Sequence, residues 1–354
     1  MKQSQALDIL KMGHNVFLTG AAGSGKTYVL NQYIKLLKQN NVGVAITAST
    51  GIAATHLNGM TIHSWSGIGI RDVLSKADIK ALLEKAYLKK HFATTDVLII
   101  DEVSMLQPSL LDLVNKVCKA FKKNEKPFGG MQVILSGDLF QLPPINRNKT
   151  ATKYFTESQA WGEMKAYVCH LSEQYRHNDD QLSNALDAIR SNTICDKTLN
   201  PLHKRFKAVI DKNIVATKLY THNIDVDRIN DQELLKIKNP IEVYTMSSRG
   251  KKPLVETLIK NCLAPETLSL KKGATVMFVK NNFELGYVNG TLGTIIGFND
   301  GENHPIIETY SGKIITASPE RWIIEEDDKT LAEINQIPLR LAWAITIHKS
   351  QGMT

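Results

Sequence analysis

The stretch GAAGSGKT, residues 20 to 27, has the residue types and spacing that hold a polyphosphate. Small residues let backbone N–H groups approach phosphate oxygens, and a helix that begins here adds partial positive charge. Lys26 neutralises the β and γ oxygens, and Thr27 is expected to ligate Mg²⁺. The alternative is a glycine-rich turn that binds nothing. We assign the whole loop to a nucleoside triphosphate, with the binding residues Gly20, Ala21, Ala22, Gly23, Ser24, Gly25, Lys26 and Thr27.

A pair of carboxylates follows a second apolar run, VLIIDEVSM. The run predicts a buried strand that releases Asp101 and Glu102 at its carboxyl end, where open α/β sheets bind ligands. Asp101 is then placed to ligate Mg²⁺, and Glu102 to orient and deprotonate an attacking water. A solvated Asp-Glu pair is the alternative interpretation.

The stretch SGDLFQLPPI ends a third apolar run with Asp138 and Gln141. Because this run also predicts a strand of the same sheet, the amide of Gln141 is expected near a γ-phosphate. There it would report whether that phosphate is present. The pattern is weak evidence when it is taken alone.

Short β-branched runs alternate with helical patterns and predict the elements that must position these residues. NVFLTG, VGVAITAS, DVLIID and MQVILSGD are predicted strands, and residues 26 to 39 and 109 to 121 are predicted amphipathic helices. The pattern is typical of an α/β fold with a parallel sheet covered by helices.

The alternation restarts after about residue 166, and hairpin signals dominate from about 271 to 330. We expect a first domain at 1–165 with a small insertion at about 66–95. A second α/β body is expected at 166–270, a small β-barrel inserted at 271–330, and a return to the second body at 331–354.

The composition fits a globular, basic protein. The 354 residues are 43% hydrophobic and 22% charged, with a net charge of +8. A basic surface favours a nucleic-acid partner, although an ordinary basic protein remains the alternative. Four widely spaced cysteines indicate reduced thiols, and neither a signal peptide nor a membrane span is expected.

Eight stretches, in order along the chain, resemble the PIF-type helicases, relatives of RecD in superfamily one. They are FLTGAAGSGKT, TASTGIAATHLNGMTIHSW, LIIDEVSML, SGDLFQLPPI, LSEQYRH, LYTHNIDVDRIN, YVNGTLG and PLRLAWAITIHKSQGMT. The resemblance implies two RecA-like P-loop domains with an SH3-like barrel inserted in the second. It also implies an ATP- and Mg²⁺-dependent helicase of genome maintenance that moves 5′ to 3′ on single-stranded DNA and unwinds duplexes or junctions.

The resemblance also assigns residues that contact the nucleotide. Gln3 matches the position that contacts the adenine edge, although an N-terminal glutamine is by default a polar surface residue. Arg176 matches the arginine that reaches the γ-phosphate from the second domain, with a surface arginine as the alternative. Lys26, Glu102, Gln141 and Arg176 form the expected catalytic set.

The DNA-binding residues implied by the resemblance are Thr50, Gly51, Thr61, His63, Trp65, His348, Lys349, Ser350 and Gln351. Hydroxyls and backbone amides hold phosphates without recognising base sequence. His63 is equally well explained as a core histidine. Trp65 offers a ring for base stacking, but packing at a domain boundary is the commoner role of such a residue.

Two alternative functions remain open from the sequence. A nucleic-acid-stimulated ATPase switch that clamps without unwinding is the main alternative function, and a nucleotide kinase is disfavoured by Glu102 and Gln141.

We expect a monomer, located in the cytoplasm or nucleoid if the source is bacterial. The family continues beyond HKSQGMT to a further arginine motif, so we expect this chain to hydrolyse ATP slowly and to unwind poorly.

Overall fold

The computed structural model describes residues 1–57, 59–69, 71, 73–144, 151–173, 180–208, 216–282, 284–326 and 329–351. The chain divides into two compact units, Met1–Ala208 and Val209–Thr354.

The first unit is built on a parallel sheet of six strands in the order β3-β2-β4-β5-β1-β6. Its strands are β1 (Val16–Gly20), β2 (Val44–Ala48), β3 (Met60–Thr61), β4 (Val97–Asp101), β5 (Gln132–Gly137) and β6 (Tyr167–Leu171). Its helices are α1 (Gln3–Lys11), α2 (Lys26–Gln39), α3 (Gly51–His56), α4 (Ile62–Trp65), α5 (Lys76–Leu83), α6 (Ala86–Ala93), α7 (Pro108–Lys122), α8 (Gln159–Met164), α9 (Asp180–Ser191) and α10 (Asp196–Arg205).

Alternate residues of the strands build a core on each face of this sheet. Val16 and Leu18 of β1 pack in one cluster with Leu30 of α2. Phe17, between them, points to the other cluster, which contains Leu111 of α7. This two-residue period is what a sheet buried on both faces requires, and it explains the near-continuous apolar runs.

Strand β6 belongs to the first sheet, which corrects the expected start of a second α/β body at residue 166. Val16 lies opposite Tyr167 and Gly20 opposite Leu171 in a parallel register. Cys169 and Leu171 of β6 are buried in the first unit's core. The apolar pattern identified the strand correctly, but a strand pattern does not identify its pairing partner.

The second unit is largely antiparallel. Its strands are β7 (Lys218–Tyr220), β8 (Glu242–Thr245), β9 (Ser247–Gly250), β10 (Thr267–Leu270), β11 (Thr275–Phe278), β12 (Leu292–Phe298), β13 (Pro305–Thr309), β14 (Ile314–Thr316), β15 (Glu320–Glu326), β16 (Lys329–Gln336), β17 (Leu339–Leu341) and β18 (Ala344–Thr346). Its helices are α11 (Asn223–Lys236), α12 (Lys252–Asn261) and α13 (Ile347–Ser350). Strands β14-β13-β12-β11-β17 form a five-stranded sheet, β15-β16-β9 a three-stranded one, and β10-β8 an antiparallel pair.

The hairpin-rich segment at 271–330 contributes most of the five-stranded sheet, so the predicted α/β class with a β insertion is confirmed. Phe278 and Tyr287 stack in its core with ring centroids 4.0 Å apart. Strand β17, expected in the returning α/β part, instead pairs with β11. The parallel α/β pattern resumes one strand later, where β18 pairs with β7.

Candidate active site

Three neighbouring strands deliver the predicted catalytic residues to one edge of the first sheet. β4, β5 and β1 are adjacent and parallel, so their carboxyl ends lie together. These ends are Asp101, Gly137 and Gly20. The structure therefore brings together the three loops that the sequence singled out, at the edge where ligands of such sheets bind.

The loop after β1 has the backbone of a phosphate cradle. Gly23 and Gly25 have φ angles of +84° and +85°, in the left-handed region that favours glycine. A Cβ on Gly20 would lie 2.7 Å from the carbonyl oxygen of Leu171, and one on Gly25 would clash with the Gln3 amide. The hydroxyl of Ser24 is buried and has no hydrogen-bond partner among the described residues. The loop can therefore offer backbone N–H groups and a buried hydroxyl to a ligand.

Lys26 lies inside this loop. Its Nζ donates to the carbonyl oxygens of Gly20 at 2.9 Å and Ala21 at 3.1 Å. Burial lowers the pKa of Lys26, and the nearby charges of Asp138, Glu102 and Asp101 oppose that effect. The ammonium group is thus held near three carboxylates by two backbone carbonyl oxygens, and phosphate oxygens can replace these acceptors.

Gln3 contacts the same loop. Its Nε2 donates to the carbonyl oxygen of Ser24 at 3.2 Å. Ala6 and Leu10 of helix α1 are buried in the same apolar cluster as Leu18 of β1. The helix is therefore anchored, and it fixes the position of Gln3. This location is compatible with the predicted adenine contact, which stays a prediction.

The carboxylates after β4 are positioned by a strained backbone. Asp101 is buried, and Glu102 adopts φ 52° and ψ 45°, a left-handed conformation that is uncommon for a non-glycine residue. Ser49, which follows β2, donates its hydroxyl to the carbonyl oxygen of Glu102 at 2.7 Å. Its N–H donates to the carbonyl oxygen of Asp101 at 3.1 Å. Sequence reasoning missed Ser49, because a serine at a strand end gives no signal of its partner.

Gln141 is held by Asp138, which is itself held by a residue that sequence reasoning missed. The Gln141 Nε2 donates to Asp138 Oδ2 at 3.3 Å. Arg190 of α9 donates to both Asp138 oxygens, at 2.7 Å and 3.1 Å. Burial raises the pKa of Asp138, but the hydrogen bonds and charge of Arg190 outweigh it, so the pKa lies below its usual value.

The donor set fits a nucleotide-bound Mg²⁺. Thr27 is exposed at the start of α2, directly after the phosphate loop. Asp101 is the last residue of β4, at the same edge of the sheet. Over the residues that the structure describes, no group of three or more His, Cys, Asp or Glu side chains is arranged as a metal cage. Mg²⁺ is commonly held by one or two protein oxygens together with phosphates and waters, which is the arrangement that Thr27 and Asp101 permit.

The first-unit residues assigned to DNA lie at the starts of short helices. Thr50 accepts a hydrogen bond from the N–H of Ala53 at 3.2 Å, and Gly51 begins α3. Thr61 caps α4 by accepting from the N–H of Ser64 at 3.2 Å. Their hydroxyls therefore have local roles as helix caps as well as the predicted phosphate contacts. His63 is half-buried within α4.

Trp65 is packed in the core. It is 3% exposed, and its ring lies 4.6 Å from that of Phe92, centroid to centroid. The alternative role as a packing residue is therefore the one the structure shows, and the ring presents no free face for base stacking.

The remaining assigned residues lie in the second unit. His348, Lys349 and Ser350 belong to α13, and Gln351 follows it. Thr346 caps this helix by accepting from the N–H of Lys349 at 3.3 Å. Burial lowers the pKa of Lys349, and the neighbouring charge of Arg340 lowers it further. Arg176 lies outside the described residues.

Sequence comparison identifies the family. Residues 3–195, more than half of the chain, match the family described as PIF1-like helicase. The chain belongs to the PIF1-like helicases. Residues 253–298 of this PIF1-like chain also match the 2B domain of the DNA helicase Pif1, which overlaps the first strands of the antiparallel insertion.

Known PIF1-like relatives support the assignment over the full chain. The ATP-dependent DNA helicase Pif1 of Psychrobacter is 44% identical, and the alignment covers 100% of this chain and 62% of that protein. A Bacteroides Pif1 in complex with ADP-AlF4 has a TM-score of 0.85 at 28% identity, covering 99% of this chain and 83% of that one. A Bacteroides Pif1 with ADP-AlF3 and single-stranded DNA has a TM-score of 0.65 at 29% identity, with the same coverage. The chain spans less than two thirds of the curated Psychrobacter relative.

Proposed function

We propose that this chain supplies the ATPase centre of an ATP-dependent DNA helicase. The observation that carries the proposal is the convergence of Lys26, the Asp101–Glu102 pair and Gln141 at one sheet edge, beside a loop shaped for phosphates. The ADP-AlF4 and DNA complexes of its Bacteroides relatives support ATP and single-stranded DNA as the ligands.

Each residue of the centre has a separate task. Lys26 exchanges its carbonyl contacts for the β and γ oxygens of ATP, and Glu102 orients and deprotonates the attacking water. Gln141 contacts the terminal phosphate. Thr27 and Asp101 would hold Mg²⁺, which neutralises charge on the phosphates when it is bound.

ATP hydrolysis drives movement only if the protein binds DNA differently in its nucleotide states. A ligand that binds two states equally shifts nothing, so coupling needs that difference in affinity. We propose 5′-to-3′ translocation on single-stranded DNA, with the hydroxyls and amides at Thr50, Gly51 and Thr61 holding phosphates. Duplex separation follows when the moving protein meets a junction, and α5 and α6 are our candidates for the segment that meets it.

Strand displacement on duplexes with a single-stranded tail at either end tests function and polarity together. Because this chain is expected to unwind poorly, even slow ATP-dependent displacement supports the proposal if it occurs only from the 5′-tailed substrate. Displacement from the 3′ tail would contradict the polarity. DNA-stimulated ATP hydrolysis without displacement on either substrate would instead favour the alternative, a clamp or switch that does not unwind.

A further inference from the structure

Arg190 holds the loop that carries Gln141, although it lies about 50 residues further along the chain. Both of its terminal nitrogens donate to Asp138, at 2.7 Å and 3.1 Å, and its guanidinium lies 4.6 Å from the ring centroid of Phe140. Such a two-pronged contact fixes orientation as well as charge. Arg190, Asp138, Phe140 and Gln141 all belong to the first unit.

The same arginine sits next to the phosphate loop. It borders a cavity of about 160 Å³ that is also lined by Ala21 of that loop and by Leu171 at the end of β6. The Asp138 side chain is 2% exposed, whereas that of Arg190 is 24% exposed. Arg190 therefore reaches from the surface to a carboxylate that solvent does not screen.

Asp138 interacts electrostatically with two cations, Lys26 of the phosphate loop and Arg190. Asp138 is the carboxylate with the strongest electrostatic effect on Lys26, ahead of Glu102 and Asp101. An unpaired Asp138 would compete with a terminal phosphate for Lys26 and would also repel that phosphate. Pairing with Arg190 reduces both effects, because the guanidinium charge opposes that of the Asp138 carboxylate at Lys26.

We propose that Arg190 is a positioning residue of the nucleotide site, which partly neutralises Asp138 so that Lys26 can bind the γ-phosphate, and which holds the loop that carries Gln141. The inference rests on the proposed ATP site. It differs from a simple anchoring role, because neutralisation predicts a selective effect on nucleotides that carry a third phosphate. It also predicts that removing the opposing charge repairs the loss of Arg190.

Equilibrium binding of fluorescent ADP and of a fluorescent non-hydrolysable ATP analogue, both with Mg²⁺, tests the proposal. For Arg190→Gln we expect the Kd of the ATP analogue to rise about tenfold, because the unpaired Asp138 carboxylate repels the γ-phosphate and competes for Lys26. The Kd of ADP, which has no γ-phosphate, should change by about twofold or less. Arg190→Lys keeps the charge and should retain most of the affinity.

The double variant Asp138→Asn/Arg190→Gln separates neutralisation from anchoring. It lacks the salt bridge but has no uncompensated carboxylate, so its ATP-analogue affinity should return to within about threefold of the parent. It also keeps the test decisive if Arg190→Gln alone folds poorly. Lys119→Gln is a matched control, because Lys119 pairs with Glu163 at 2.9 Å in the same unit and has similar exposure, 22%. This control should change neither affinity.

Three results would overturn the inference. Equal weakening of ADP and ATP-analogue binding in Arg190→Gln would show anchoring alone. Failure of the double variant to recover would do the same. A parent chain that binds neither nucleotide would instead overturn the proposed function, and the inference with it.

Discussion

The hydroxyl of Ser49 donates to the carbonyl oxygen of Glu102 at 2.7 Å, and so joins the end of β2 to the predicted general base. Ser49 directly precedes Thr50 and Gly51, which are predicted to contact DNA. A second bond, from the Ser49 N–H to the Asp101 carbonyl oxygen at 3.1 Å, fixes the same junction. We therefore expect a displacement of residues 50 and 51 to reach, through these two hydrogen bonds, the backbone that carries both carboxylates.

Replacing Ser49 by alanine should weaken the coupling of DNA to ATP hydrolysis. The substitution leaves the Glu102 carbonyl oxygen without its hydroxyl donor, which should reduce stability by about 1 kcal/mol. We expect the stimulation of ATP hydrolysis by single-stranded DNA to fall several-fold, while the rate without DNA changes little. Steady-state ATPase assays with and without DNA measure both rates.

Ser66→Ala is a suitable control for that variant. The Ser66 hydroxyl also donates to a backbone carbonyl, that of Ile62 at 2.6 Å, but this bond is local and closes the C-terminal end of helix α4. It should lose a similar amount of stability and keep the DNA stimulation. If both variants lost stimulation equally, the effect would come from stability and not from the Ser49–Glu102 bond.

Lys26→Ala and Glu102→Gln should abolish ATP hydrolysis through different defects. Without Lys26 the phosphates lose a preorganised cation, and one such donor contributes about 3–4 kcal/mol to transition-state stabilisation. Glu102→Gln should still bind ATP but not turn it over, since an amide cannot take a proton from water. Nucleotide binding together with single-turnover hydrolysis distinguishes the two.

Lys35→Ala is the control for the lysine variant, because Lys35 is exposed on the same helix α2. It should bind and hydrolyse ATP as the parent does. Hydrolysis by Glu102→Gln at the parental rate would show that Glu102 is not the base.

Single-stranded DNA should bind with little sequence preference and with an affinity that falls as salt rises. Phosphate contacts release counterions, which gives a slope of log K against log salt of about −0.7 for each contact. Fluorescence anisotropy with homopolymeric and mixed oligonucleotides at several salt concentrations measures both properties. An affinity that did not depend on salt, or that was confined to one sequence, would contradict the proposed backbone contacts.

The phosphate loop was predictable because its chemistry depends on residues that are adjacent in sequence. The spacing of Gly20, Gly25 and Lys26 can be seen directly in the sequence. The apolar run before Asp101 likewise predicts that this carboxylate lies at the end of a strand. Parallel pairing then brings the strand ends together without further information.

The contacts that were missed are long-range in sequence. Arg190 meets Asp138 over 52 residues and Ser49 meets Glu102 over 53. Arg190 sits on an amphipathic helix where an arginine is by default a surface residue, and only the tertiary fold shows its partner. β6 illustrates the same limit, since its apolar pattern is equally compatible with either sheet.

Glu320 should make the second unit sensitive to acid. Its Oε1 accepts hydrogen bonds from Asn282 at 2.7 Å and Tyr287 at 2.9 Å, and its Oε2 from Lys280 at 3.1 Å. Burial raises the pKa of Glu320, but these hydrogen bonds and the Lys280 charge outweigh it, so the folded-state pKa lies below the usual 4.5. A carboxyl group with a depressed pKa stabilises the fold above its unfolded-state pKa, and this contribution is lost as the pH falls through the folded-state value.

Glu320→Gln should therefore destabilise the protein at pH 7 by about 1–3 kcal/mol, the usual cost of losing hydrogen bonds to a charged group. The difference between parent and variant should shrink as the pH falls below the usual glutamate value of 4.5. Glu308→Gln, at an exposed position on β13, serves as the control and should unfold like the parent at pH 7. Urea unfolding at several pH values measures the difference. A Glu320→Gln penalty that stayed constant from pH 7 down to about pH 3 would mean that packing, and not the charge of Glu320, stabilises this part of the fold.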